Sequence, residues 1–188
     1  MKHFFLVVVF VANIINAQSI NDEISNDIKS KILINLSKIP VGSEKLYGFD
    51  SREDFKNCTI GTPIKIVLLN DNNILIEQEQ WRIPVKLNGN NKTLFTVQKI
   101  DDTYEIVDIG GNDLSKELQV IESKNSSVNY FLRLYNPKID FVSNALNLKD
   151  LANVRFFLME SAQLFLEAKQ KNRVTTTITI SELLNLIK

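Results

Sequence analysis

Apolar and polar positions change period several times along the chain, and each change marks a predicted element. Isoleucines at positions 20, 24, 28 and 32, followed by Leu36 and Ile39, recur about every fourth residue and line one stripe of a helix over residues 19–39. Ser19 with Asp22 supplies an N-terminal cap, and Pro40 with Gly42 stops the helix. The periodicity then lapses over residues 41–61, which read as a loop holding one short helical turn, capped by Ser51 and Asp54 with Phe55 on its inner side.

Residues 62–110 switch to β-rich segments divided by turn signals at residues 70–73, Asn88-Gly89 and Asp101-Asp102. They predict an antiparallel meander with strands over residues 64–69, 74–87, 93–100 and 104–109. Asn-Gly is the firmest of the three turns, since both residues accept the positive φ of a tight hairpin. Pro84 falls inside the long second strand and predicts an edge or a bulge nearby. Gly110-Gly111 ends the meander, and Asn112 or Asp113 can cap a helix reaching about Ile121.

A further strand is expected over residues 128–135, ended by Pro137. Residues 148–169 carry Leu151, Val154, Phe157, Leu158, Ala162, Phe165 and Leu166, which predict a long, buried helix. Alternating threonines over residues 173–180 fit an edge strand, and a tail helix follows from Ser181. The sum is an α+β fold: an antiparallel β-meander sheet packed by an N-terminal amphipathic helix and a long C-terminal helix. In outline such helix-on-sheet order looks like the cystatin and NTF2-like folds, a likeness of shape that fixes no function.

Residues 1–17 read as a cleavable secretory signal peptide. Lys2 supplies the charged start, Phe4 to Val11 the apolar run and Ala17 the small residue before the cut. The apolar run is far shorter than the roughly 20 residues that span a membrane. Residues 18–188 are then expected to form one exported domain, periplasmic or extracellular, with no membrane span. Lys2 leaves with the leader, so one more acid than base remains among the 22 of each sign in the whole chain, and nothing calls for nucleic acid. Glycine and proline number only 6 and 4, which argues against long flexible linkers.

The same cut would remove His3, the single histidine of the chain. Without imidazole the mature chain has no Ser-His-Asp triad, no Cys-His dyad and no histidine ligand for a metal. Cys58 is the single cysteine, so no intrachain disulfide can form. Its neighbours Asn57 and Thr59 offer no base to activate the thiol. Asp50, Glu53 and Asp54 cluster, yet they lack the alternation and glycine of a calcium loop. No cofactor and no metal are implied.

Trp81-Arg82 is the pair that stands out, because both residue types are enriched where proteins bind partners. Alternation puts Trp81, Ile83 and Val85 on one face, the expected core, and Arg82, Pro84 and Lys86 on the other, where Arg82 is either an ordinary solvated arginine or a binding group. With Tyr47, Phe49 and Arg52 of the preceding loop, Arg82 makes the candidate binding set. The leading expectation is a non-catalytic binding module for a protein, peptide or glycan. The rivals are a small carboxylate-dependent hydrolase of the envelope using residues such as Glu79 and Asp108, and an inhibitor of a secreted enzyme.

Overall fold

A computed structural model describes residues 22–69, 74–125, 127–135, 138–149, 154–169 and 176–187. The leader, the expected cap at Ser19 and the turn at residues 70–73 lie outside them. Helix α1 occupies residues 22–37. Two 3-10 turns follow, Glu44–Tyr47 and Arg52–Asn57, and then strands β1 (Cys58–Ile60), β2 (Ile64–Leu69), β3 (Leu75–Leu87), β4 (Asn90–Ile100) and β5 (Thr103–Gly110). Beyond these come α2 (Asn112–Lys124), β6 (Tyr130–Tyr135), β7 (Lys138–Ser143), β8 (Arg155–Leu158), α3 (Glu160–Lys169), β9 (Thr177–Thr179) and α4 (Ile180–Ile187).

All nine strands join one sheet in the order β5-β4-β3-β2-β6-β7-β8-β9, with β1 paired to β3 beside that path. The mixed α+β class and the four-stranded meander β2–β5 are as the alternation predicts. Asn88 and Gly89 take φ values of 51° and 78°, the left-handed pair that a tight hairpin needs. The sheet is not wholly antiparallel, because β6 returns to lie parallel to β2, with Lys65 opposite Tyr130 and Val67 opposite Leu132. A parallel neighbour needs a crossover, and α2 lies on the connection that carries the chain from β5 back to β6.

The long helix expected over residues 148–169 is corrected. Residues 155–158 form β8, and among the described residues of this segment the helix is Glu160–Lys169. Phe156 and Leu158 are buried in one core cluster while Phe157 packs into another, so the apolar run is contiguous because both faces of this strand are covered. Such a run carries neither period, and helix and strand cannot be told apart from it. Strand β7 also stands where the pattern around Pro137 predicted only an end.

Pro84 sits where it does least harm. Strands β1 and β2 share the same edge of β3 in succession, separated by residues 61–63. The Pro84 carbonyl accepts from Gly61 N at 2.7 Å, so its missing N–H faces the break between them. A Cβ on Gly61 would stand 2.8 Å from Lys86 Cε and 3.2 Å from Pro84 Cβ, so a larger residue there requires the Lys86 side chain to swing aside. The register of β3 against β4 shifts one step later, between Val85 and Lys86, as the proline predicts.

Ile24, Ile28, Ile32, Leu36 and Ile39 are buried in one cluster with Trp81, Ile83, Val85, Phe95, Val97 and Tyr104. A second cluster joins Ala162, Leu166 and Leu183 of α3 and α4 to Leu132, Phe141, Phe156 and Ile178. On the opposite face of the meander, Leu118 of α2 packs with Ile64, Leu94, Phe131 and Val142.

Polar clamps fix α1 at both ends of its contact. Asp27 accepts from Tyr104 N at 3.0 Å and Lys31 donates to Tyr104 O, so one i,i+4 pair matches the outward backbone groups of the edge strand β5. Arg52 donates to Ser37 O and Ile39 O, meeting carbonyls at the C-terminus of α1, and to Glu44 Oε1 at 2.8 Å. Asp54 accepts from Ser51 N at 2.9 Å, holding the turn that carries Arg52.

Glu44 is held below the usual carboxylate range, first by its backbone hydrogen bond and then by Arg52 and the N–H of Gly42, against the opposing effect of burial. A lowered folded pKa gives stability above the unfolded value that disappears as pH falls through the folded one. The Glu44→Gln variant is expected to unfold at lower urea than the wild type at pH 7, and the gap should narrow as pH falls past the unfolded value of about 4.3 and through the lower folded one. A gap that stays constant down to pH 3 would remove Glu44 from this role.

Candidate functional site

The alternation of β3 sends neighbouring residues to environments of opposite chemistry. Trp81 is 4% exposed in the α1-side core, edge-on to Tyr104 at 5.5 Å, with Lys65 Nζ 3.9 Å from its ring centroid. Arg82 points to the other face and is only 6% exposed, which corrects the expectation of a solvated arginine. The reason is its neighbours: β3 lies between β2 and β4, and Ile66 and Phe131 on one side and Thr96 on the other enclose the side chain.

Arg82 lines a recess of about 170 Å³ with Ile66, Gln80, Thr96, Asp108, Phe131 and Arg133. The recess lies on the meander's second face, where α2 packs on the adjoining stretch through Leu118. The ring of Phe131 sits beneath two cations, 5.7 Å from Arg82 Cζ and 5.8 Å from Arg133 Cζ.

These two arginines are treated very differently. Arg133 is paired side-on with Asp140, its register partner on β7, through Nε to Oδ1 and Nη2 to Oδ2, both at 2.7 Å. That is the bidentate fork-to-carboxylate contact, made between adjacent strands. Arg82 uses Nη1 alone, donating to Thr96 Oγ1 and, at 3.5 Å, to Asp108 Oδ2. Its Nε is out of solvent contact and has no acceptor, and Nη2 meets none among the described residues. Burial lowers the Arg82 pKa, and the positive charge of Arg133 lowers it further, while Asp108 and Asp140 oppose both. A guanidinium stays protonated despite such pressure, so the recess holds a buried cation whose Nη1 alone meets acceptors and whose Nε is both buried and unmet.

The other residues singled out from the sequence serve elsewhere. Phe49 is 1% exposed and stacks edge-on against Phe55 at 5.0 Å. Tyr47 packs on the same core, and Arg52 closes the end of α1 as described. The Tyr47–Phe55 loop therefore does not converge with Arg82. Glu79 and Asp108 do not converge either: Glu79 reaches Lys65 on the Trp81 side at 3.5 Å, while Asp108 reaches Arg82 on the other.

A wider groove of about 390 Å³ runs between α1 and β1 past Asp22, Lys29 and Cys58. Burial and the nearby Asp54 carboxylate push the Cys58 thiol up to about 11, so it is neutral at physiological pH and a poor nucleophile. Among the described residues no group of three or more His, Cys, Asp or Glu is placed to hold a metal ion.

Sequence reasoning missed Thr96, Phe131, Arg133 and Asp140. The alternation within β6 puts Phe131 and Arg133 on one face, but the parallel β2–β6 pairing that brings them beside Arg82 has no local sign.

A buried charge with unmet donors contributes little to stability, and a well-packed apolar replacement is often neutral or stabilising by about 1–4 kcal/mol. The Arg82→Met variant is expected to match or exceed the wild-type urea midpoint. Thr96→Val, which takes one more acceptor from Arg82, should lower stability by roughly 1–3 kcal/mol. Loss of more than about 2 kcal/mol in Arg82→Met would mean that Arg82 is structural cement. No protein-family model matches the chain, and no curated protein or solved structure matches it, so the reading rests on the chemistry of this recess.

Proposed function

We propose that this protein is an exported, non-catalytic binding module, periplasmic or extracellular, that engages an acidic partner group on a protein, peptide or glycan at the sheet face around Arg82. One observation carries the reading: a cation withdrawn from water beside a recess, with its Nε–H unmet, on a face where the other arginine is already neutralised. Native structures rarely retain such groups without a use. In shape we read the domain as helix-on-sheet of the cystatin or NTF2-like kind, and that shape alone assigns no ligand.

The leader-like residues 1–17 support export, and their removal would leave a chain without imidazole, which supports binding over acid–base catalysis. Among the described residues no helix is long and apolar enough to cross a membrane. Glu79 and Asp108 lie on opposite faces, so these two do not make a carboxylate pair of the kind a hydrolase needs.

Calorimetric titration of the exported chain with oligogalacturonate, oligoglutamate and neutral dextran oligomers tests this. Binding is expected to at least one acidic oligomer, to weaken as salt rises, and to fall by about tenfold or more in Arg82→Met. Equal binding of acidic and neutral oligomers, or binding indifferent to Arg82→Met, would overturn the proposal.

A further inference from the structure

The identity of the acidic group follows from which donors of Arg82 are left over, and this step rests on the Arg82 face being a binding surface. A guanidinium offers two flat edges that each fit a two-oxygen acceptor, and the side-on edge is formed by Nε and Nη2. Arg133 shows that edge filled, with both oxygens of Asp140 at 2.7 Å. On Arg82 it is the edge without acceptors, because Thr96 and Asp108 both lie on Nη1.

We propose that the Nε/Nη2 edge of Arg82 receives a single carboxylate of the partner, admitted through the recess as Asp108 turns outward. Geometry and charge both select a carboxylate. Its two coplanar oxygens match the edge as those of Asp140 match Arg133. Arg82 and Arg133 are balanced by Asp108 and Asp140, so one further negative charge is matched when Asp108, whose side chain is 62% exposed and stands 3.5 Å from Arg82, turns into water. A phosphate dianion would meet the fields of Asp108 and Asp140 with no second free cation among the described residues lining the recess. The volume of about 170 Å³ suits a small planar head group on a short stem.

Asp108 is the displaceable element. Its carboxylate makes only long contacts, 3.5 Å to Arg82 Nη1 and 3.4 Å to Thr96 Oγ1, and it lies on edge strand β5 beside a register shift of that strand. An arriving carboxylate takes over its role as counter-charge, and Asp108 moves into water at little cost. Asp108 therefore weakens binding by like-charge repulsion, and a neutral residue there should strengthen it.

Titration of the ¹⁵N-labelled exported chain with sodium acetate, followed through the Nε–Hε resonance of Arg82, reads the contact directly. Acetate is expected to shift this resonance saturably in the wild type, Asp108→Asn to tighten acetate by roughly fivefold, and inorganic phosphate to bind more weakly than acetate. An Arg82 resonance unmoved by acetate overturns the proposal, as does phosphate binding tighter than acetate. It is also overturned if Asp108→Asn by itself shifts the resonance while acetate does nothing, because Asp108 would then be the ligand of its own arginine. If acetate leaves Arg82 unmoved while acidic oligomers still bind in an Arg82-dependent way, the carboxylate edge is wrong and the binding module stands. If acetate moves Arg82 but no acidic oligomer binds, the edge stands and the module reading fails.

Discussion

The stretch of strand β3 from Trp81 to Val85 is paired along both edges and covered on both faces, and the rest of the fold depends on satisfying it. Strands β1 and β2 lie along one edge of β3 in succession, and β4 pairs the other from Gln80 onward. A stretch in that position has no solvent side, so every side chain from Trp81 to Val85 is buried whatever its chemistry. On one face this is straightforward, since Trp81, Ile83 and Val85 meet the isoleucine stripe of α1 and bury apolar area. On the other it forces a charge into the interior. The proline in the same stretch is tolerated because pairing along that edge of β3 is interrupted opposite it, so one break accommodates Pro84 and separates β1 from β2.

Three arginines show how differently one side chain can be used. Arg52 closes the end of α1, where its donors meet Ser37 O, Ile39 O and Glu44 and cover carbonyls that the helix leaves over. Arg133 is locked against Asp140 across two adjacent strands, with its side-on edge filled. Arg82 has the same burial problem without the same solution, because its register partner on β4 is Thr96, which offers a single hydroxyl. Desolvating a cation costs several kcal/mol, and that penalty is offset only when its donors are met. The contrast leaves Arg82 as the one of these three whose buried Nε the fold does not pair.

The sheet edge follows the same economy of polar groups. Strand β5 ends the sheet, and Asp27 and Lys31 of α1 supply an acceptor and a donor to Tyr104 as a further strand would. The Asp108 side chain of the same strand stays exposed to solvent.

Local pattern made the meander, the Asn88-Gly89 hairpin, the Ser51/Asp54 turn and the helical stripe of α1 legible, because each depends on period, φ preference or capping within a few residues. Alternation also separated Trp81 from Arg82 correctly. It could not report that the Arg82 face is enclosed, since that depends on β6 coming to lie parallel to β2 about 65 residues away in sequence. The doubly covered strand β8 was lost for a related reason: burial on both sides erases the period that would have marked it. Which residues alternate, which turns close and that an arginine adjoins the tryptophan of β3 are written in the local order of residues. That this arginine is buried with its Nε unmet follows from the fold, because acceptors are supplied by strands that the sheet order brings together.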